Sequence, residues 1–377
     1  LEESAVRELK YWIALSSVPG IGSRSFFRLT ELFGSPKGVW HAGEADLRSA
    51  LEAKPELVRN LLQARAATDP DQLLSGLRSA GAEAVIHSDP RYPQLLRATA
   101  TPPPVLYCIG ELPGPEDACV SVVGTRRPTL YGCRCAFEIA AALALSGFWV
   151  VSGMAFGIDS WSHKGALDSG GKTVAVLGCG PDIVYPRQNR SLYDRITHAG
   201  AVVSEYYLGV LPVRSRFPAR NRIVSGLSVA TVVVQAGQKS GALITARFAL
   251  EQGRDVYAVP GDIHLAASRG TNLLLYDGAA PVVSVEKLIR DVCSRVDAWR
   301  RPRPKQGRSD TAEAAQGQTV SGAAGRIMSA LSNGCETVDA IAAAAQMDVS
   351  DVLSELSLLE LAGRVMRHPS GSFGIMP

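Results

Sequence analysis

Between Glu8 and Ala66 apolar residues recur at helical spacing, as at Leu29, Leu32 and Phe33, and no run alternates as a strand would. A helical domain over residues 1–80 is therefore predicted. It contains Val18-Pro19-Gly20-Ile21-Gly22-Ser23, a glycine-flanked turn between two helical stretches. Such a turn is either an ordinary connector or a helix-hairpin-helix whose amides face a phosphate. Only Arg24 and Arg28 follow it as a basic flank.

From Ala82 to about Val292 the pattern changes. Short runs rich in β-branched residues stand at Val120–Val123, Trp149–Val151, Thr173–Leu177, Ala201–Val203, Val229–Val234 and Asp255–Val259. Helical stretches such as Cys133–Ser146, Ser160–Asp168, Ser191–His198 and Ala242–Glu251 fall between them. Apolar runs that do not alternate, separated by helices, predict strands covered on both faces. The expectation is a doubly wound α/β domain over residues 81–294, with a Rossmann-like parallel sheet.

Residues 295–319 carry a basic start, Arg300-Arg301-Pro302-Arg303-Pro304-Lys305-Gln306-Gly307-Arg308, and then Ser309 to Gln318 without apolar periodicity. This is the composition of a flexible linker. Residues 320–377 predict helices near Gly325–Ser332, Thr337–Ala345 and Ser350–Leu361, followed by a closing hairpin, the order of a winged helix. Leu353, Leu356, Leu359 and Leu361 are predicted to pack inside it. The third helix holds Asp351, Glu355 and Glu360 but no Lys or Arg, and the unit as a whole has three Arg against six acids. Duplex phosphates repel such a helix, so a protein partner is expected there in place of the major groove.

Composition narrows the class. Apolar residues make up 46% of the 377, which excludes wholesale disorder. The 39 Lys+Arg against 36 Asp+Glu leave +3, so any nucleic-acid binding must come from where the charges sit. Seven scattered Cys argue against a disulfide framework, and Cys133-x-Cys135 lacks the second pair of a structural zinc site. The most apolar stretch, Ile139 to Val151, is too short for a membrane span. No charged-then-apolar leader opens the sequence, and Leu1 at its start suggests trimming. A cytoplasmic location is expected.

Ligands of doubly wound sheets bind beyond the carboxyl ends of the strands, and here strand after strand ends in glycine. The ends read Gly124-Thr125-Arg126-Arg127, Ser152-Gly153-Met154-Ala155-Phe156-Gly157, Gly178-Cys179-Gly180 and Lys239-Ser240-Gly241. Four such turns, with Arg126 and Lys239 among them, favour an anion site. Neither a dinucleotide fingerprint nor a Walker loop is complete, so no cofactor is implied. Arg214, Arg216, Arg220 and Arg222 lie close together around Phe217, with no acid among them. A basic track with an aromatic inside suits a single strand, guanidinium for phosphate and ring for base. The alternative is a solvated loop with Phe217 tucked into the core, but Pro212 and Pro218 count against a simple helix, and the binding reading is preferred. His163 could be a base oriented by Asp159, yet an Asp there also serves as a helix N-cap. Glu205 can pair with an Arg. No nucleophile, base and orienting group converge at recognisable spacing.

These residues, in order and spacing, resemble the bacterial DNA-processing protein A family (DprA, also called Smf). The resemblance rests on Gly124-Thr125-Arg126, Ser152 to Asp159, His163 with Gly165 to Leu167, Tyr185 to Asn189, and Ser204-Glu205. Phe217 to Ile223, Ser240 to Ala246, Val259 to Gly261 and Gly270 to Asn272 complete it. It is dense over residues 120–280. It implies a homodimer that binds single-stranded DNA, delivers it to the RecA recombinase in natural transformation, and has no known enzymatic activity. Carried over by motif, Arg126, Arg187, Arg214 and Arg220 would meet phosphate and Phe217 would stack on a base. Asn221 would join the same pocket, with Gly124 at its edge and Gly153, Ser240 and Gly241 as donors. The chain departs from the family pattern at Gln235, where an acid is common, at Trp161-Ser162, and at Tyr206-Tyr207-Leu208. The competing reading is a Rossmann-like enzyme that binds or cleaves a nucleotide, which glycine-lined turns alone do not exclude.

Overall fold

The computed structural model describes residues 2–51, 54–300, 323–361, 364–367 and 372–375. Its contacts divide the chain into two units, residues 1–302 and 303–377. The first begins with helices α1 (Glu2–Ser16), α2 (Ser23–Leu32), α3 (Pro36–His41), α4 (Glu44–Ala50), α5 (Pro55–Ala67) and α6 (Pro70–Ser79). Their apolar stripes close on Leu15, Phe26, Leu29, Val39, Leu47 and Leu61. The Val18–Ser23 turn is pinned to α5, because Asn60 Nδ2 donates to Pro19 O at 2.9 Å. The helical segment is joined to the sheet. Ile13 of α1 and Leu77 of α6 share a core with Val105 and Tyr107, and Ser16 Oγ lies 3.0 Å from the Tyr107 hydroxyl.

The α/β part runs β1 (Glu83–Ile86), α7 (Gln94–Arg97), β2 (Val105–Gly110), β3 (Cys119–Val123), α8 (Leu130–Leu145), β4 (Trp149–Ser152) and α9 (Ile158–Asp168). It continues through β5 (Thr173–Leu177), α10 (Arg190–Ala199), β6 (Ala201–Ser204), α11 (Arg216–Gly226), β7 (Ala230–Val233) and α12 (Gly241–Glu251). β8 (Asp255–Ala258), α13 (Arg269–Tyr276), β9 (Ala280–Pro281) and α14 (Val285–Arg300) end it. The sheet order is β1-β2-β6-β5-β4-β3-β7-β8-β9. All neighbours from β6 to β9 are parallel. The sheet is nonetheless mixed, not purely parallel as predicted, since β2 runs antiparallel to both β1 and β6. The link from β1 to β2 holds the one-turn α7 and no packed crossover helix, so β2 returns antiparallel to β1.

Strand side chains alternate between two apolar layers. Cys119, Val123, Trp149 and Val151 face α11 and α12 through Ile223, Val224, Ala242 and Ala246. Val120, Val122 and Val150 face α8, α9 and α14 through Ile139, Leu143, Ile158 and Val292. Both faces are covered by apolar side chains, which is why the runs do not alternate. The polar pair inside, Ser121 and Thr231, is satisfied mutually at 2.7 Å across β3 and β7. α14 keeps Val296 buried and runs to Arg300, so the domain passes the predicted boundary at 294. The rest of the predicted linker, 301–319, lies outside the described residues.

The second unit comprises α15 (Ala323–Ser332), α16 (Val338–Ala345), α17 (Val349–Leu361) and the antiparallel pair β10 (Val365–Arg367) and β11 (Phe373–Ile375). Three helices and a hairpin around Ile327, Ile341, Val352, Leu356, Leu359 and Phe373 form a winged helix. Leu353 departs from the expectation: it is 45% exposed, because it falls one position outside the α17 stripe set by Val352, Leu356 and Leu359. The side chain of Leu361 lies outside the described residues.

Candidate nucleic-acid interface

The parallel strands are wound outward in both directions from β3, toward β4 on one side and β7 on the other. The order of strand addition thus reverses between the parallel β3 and β7, and the helices that follow them leave on opposite faces. A crevice must open beyond their carboxyl ends. It is there: a cavity of about 820 Å³ lined by Gly124 to Arg127 after β3 and by Lys239 to Ala242 after β7. Gly153, Asp159, Tyr185, Arg214, Phe217 and Asn221 complete its wall.

Each wall has a local cause. Gln235, just past β7, is buried and accepts the Thr129 amide on Oε1 at 2.9 Å, while its Nε2 donates to Thr129 Oγ1 at 3.1 Å. Its backbone oxygen accepts the Thr125 amide at 2.7 Å. The loop carrying Arg126 is therefore tied at two points to the neighbouring strand. An acid at 235 could accept from Thr129 but not donate to it, so this departure from the family pattern keeps the scaffold. Gly124 is there for packing, since a Cβ would stand 2.5 Å from Ile158. Ser240 caps α12 by accepting the Ala242 amide at 3.3 Å, and the Gly241 carbonyl accepts from Asn221 Nδ2 at 3.2 Å. This leaves the Gly241 amide at the positive end of an eleven-residue helix, on the cavity wall.

The turn after β4 is held from beneath. Met154 adopts φ 54°, a rare conformation for a residue with a Cβ. Three partners fix it: Asn189 Nδ2 donates to Met154 O at 2.8 Å, Ser160 Oγ donates to Ala155 O at 2.6 Å, and Asp159 Oδ2 accepts the Gly153 amide at 3.1 Å. The carboxylate of Asp159 thus consumes the amide that Gly153 was expected to offer a ligand. What position 153 requires is space, because a Cβ would stand 2.5 Å from Arg220 Nη2 and 2.7 Å from Asp159 Oδ2. Nor is Asp159 the N-cap of α9; Gly157 is. Burial pushes the Asp159 carboxyl above its ordinary range, against the pull of the Arg220 guanidinium and the two loop amides. His163 faces elsewhere. Thr173 Oγ1 donates its one hydrogen to Val150 O, so it accepts from His163 Nδ1 at 2.7 Å. The ring is fully buried, and desolvation with the Arg220 charge lowers its pKa to about 3. It is neutral, unreachable and not oriented by Asp159, which removes it as a catalytic base.

The arginine run does not stay together in space. α11 starts at Arg216, and Pro218 sits in its first turn, where a missing N–H costs nothing. The proline therefore does not prevent the helix, contrary to the sequence-based expectation, and the helix sends the guanidinia apart. Arg214, before the helix, lines the cavity. Arg216 lies 4.7 Å over the Tyr206 ring and donates to Leu211 O. Arg222 pairs with Glu205 at 2.5 Å. Arg220 is 4% exposed, its Nη1 donating to Gly153 O at 3.0 Å, so it cannot meet a phosphate as expected. Arg187 is exposed but does not line the cavity. Phe217 is half-buried, neither a core residue nor a free ring, and stacks on Tyr185 with centroids 5.3 Å apart. Sequence reasoning left out of the site Arg127 and Tyr185. Arg127 had a signal beside Arg126; Tyr185 opens a segment of the family resemblance, but its stacking on Phe217 joins residues far apart along the chain.

Arg126, Arg127, Arg214 and Lys239 line the cavity with no ion-pair partner among the described residues. The acid in the wall, Asp159, is engaged by amides and sits beside Arg220. Fold and cavity together define a Rossmann-like domain with a cationic crevice at its strand-order reversal. Residues 83–293 match the family model of DNA recombination-mediator protein A, and residues 311–371 that of the DprA winged helix domain. Protein Smf of Synechocystis sp. is 39% identical over 286 residues, covering 75% of this chain and 72% of that protein. Protein Smf of Escherichia coli is 36% identical over 281 residues, 74% of each. The crystal structure of DNA processing protein A from Streptococcus pneumoniae superposes with a TM-score of 0.64 at 29% identity, over 75% of this chain and 98% of that one. That of the Helicobacter pylori protein, described for its single-stranded DNA binding mode, gives 0.51 at 30% identity, over 56% and 96%. The chain belongs to the DNA-processing protein A (DprA/Smf) family.

Proposed function

We propose that this protein binds single-stranded DNA in the crevice between β3 and β7, by contact alone and without catalysis. Arg126, Arg214 and Lys239 take phosphates, the α12 N-terminus at Ser240 and Gly241 takes another, and the aromatic wall that contains Phe217 meets a base. Asn221 and Gly153 act by shaping the wall, and Arg187 meets the strand outside the cavity. The observation that carries this reading is the set of four cations, unpaired among the described residues, beside an aromatic pair in one open cavity. A single strand supplies both phosphates and unstacked bases, whereas duplex keeps its bases inside. The single-strand binding described for the Helicobacter pylori relative supports it.

The bound strand is then delivered to a RecA recombinase in the cytoplasm, as the family resemblance implies. A homodimer is part of the proposal. Ile263, Leu273 and Tyr276, 73%, 45% and 89% exposed on the segment after β8, support self-association through that face. Among the described residues no helix is long and apolar enough to cross a membrane.

The test is fluorescence anisotropy with single- and double-stranded oligonucleotides of equal length across a salt series. Single strands should bind more tightly, with log K falling by about 0.7 per phosphate contact for each decade of salt. Equal affinity for both forms, or turnover of a mononucleotide, overturns the proposal.

A further inference from the structure

A ring that stacks on a base must offer it a face. Phe217 has little to offer. Its Cδ1 lies close enough to Gly178 that a Cβ there would stand 3.1 Å away. The Tyr185 ring is stacked on it, 5.3 Å between centroids and 27° between planes, and the Arg126 guanidinium sits 5.7 Å from its centroid. The more open member of the pair is Tyr185, which is 41% exposed and lines the same cavity as Arg126 and Arg214.

Tyr185 is also held in place. Its loop is anchored before it, where the Gly180 amide donates to Val210 O at 2.8 Å and the Tyr193 hydroxyl donates to Pro181 O at 2.7 Å. It is anchored after it by Asn189, whose Nδ2 donates to Met154 O and Ser160 Oγ. A ring already fixed loses little entropy when a base arrives. Isolated exposed tyrosines are ordinary. An exposed ring stacked on a second ring, on an anchored loop at the rim of a cationic cavity, is a built platform.

We infer that Tyr185 is a base-stacking residue of the site, with Phe217 as the ring that backs it. This rests on the single-strand reading above. The base meets the outer face of Tyr185 while Arg126 and Arg214 hold flanking phosphates.

The experiment measures affinity of the full chain for an oligothymidylate and for the same backbone made of abasic units, with a thermal melt of each variant. Tyr185→Ala should bind the oligothymidylate about tenfold more weakly, the scale of one base–ring stack at 1.4 kcal/mol per tenfold. Tyr185→Phe should bind as the wild type does. Tyr185→Leu, which keeps apolar packing on Phe217 without a π face, should match the alanine variant and covers the case in which alanine unfolds the loop. On the abasic backbone wild type and variants should bind alike. In a Phe217→Ala background, Tyr185→Ala should still cost affinity. Unchanged oligothymidylate binding in Tyr185→Leu overturns the inference. So does a loss that persists on the abasic backbone, or one wholly absorbed by Phe217→Ala. Wild-type protein that binds no single strand overturns the DNA-binding reading and this one with it.

Discussion

Arg220 stands where the sequence suggests a phosphate ligand, and the structure makes it a buried support. Its guanidinium is 4% exposed, donates to Gly153 O, and lies beside Asp159, which accepts two amides of the same turn. Arg220→Met keeps volume and removes the charge. Asp159 then remains buried without its compensating cation, a change that costs about 3–5 kcal/mol when one partner of a buried charged pair is removed. At about 2–4 °C per kcal/mol, the melting temperature should fall by about 6–12 °C even at the low end of that cost. The pH dependence has a definite sign. Burial already raises the Asp159 carboxyl above its ordinary 3.8, and loss of Arg220 raises it further. A group whose folded value is raised gives its stability below the unfolded value and loses it as pH climbs through the folded one. The variant's deficit against wild type should therefore be larger at pH 8 than at pH 5, in urea melts of both proteins. Adding Asp159→Asn should restore most of the lost stability and abolish the pH dependence of the deficit, because an amide oxygen can still accept the Gly153 and Ala155 amides without a charge. The double variant should also keep single-strand affinity and salt slope. A destabilisation below about 1 kcal/mol with a flat pH response, or a salt slope reduced by about 0.7, would refute the support role and return Arg220 to the phosphate track.

The pattern of the sequence was most legible where one physical cause dominated. The non-alternating runs at Thr173–Leu177 and Trp149–Val151 read as strands covered on both faces, and they are. The short strands at Glu83–Ile86 and Val105–Gly110 passed unread, since β2 finds its place in the sheet beside β6, far along the chain. The site divides in the same way. Arg126 and Ser240-Gly241 stand in the loops that leave the carboxyl ends of β3 and β7, so strand order carries them to the crevice. The arginines from 214 to 222 looked like one track because spacing along the sequence says nothing about direction around a helix. Once α11 begins at Arg216, successive side chains turn by about 100°, and burial, a tyrosine ring and Glu205 each claim one. Tyr185 stands in the family resemblance, but its place in the cavity wall shows only through its contact with Phe217.

Three further outcomes are expected. Replacing Arg126 and Arg214 together by Ala should weaken single-strand binding and lower the salt slope by about 1.4, two contacts at about 0.7 each; an unchanged slope places the strand elsewhere. Gly153→Ala should destabilise the protein, since its Cβ would stand 2.5 Å from the buried Arg220, whereas Gly241→Ala, with open space around that Cβ, should melt as wild type does. Equal melts for the two would show that the Gly153 turn relaxes freely. For the winged helix, residues 311–377 alone should bind no duplex at low salt, and deleting them should cost the remaining chain little single-strand affinity. The reason is electrostatic. Asp351 and Glu360 are exposed on α17, the helix that would enter a groove, and α17 holds no Lys or Arg to answer a duplex that carries one charge per about 1.7 Å. Arg364 is exposed beside the hairpin and can touch a phosphate, but one contact against an acidic helix does not hold a duplex. The acidic face of α17 suits a partner that brings positive charge, and tight duplex binding by the isolated unit would overturn that view.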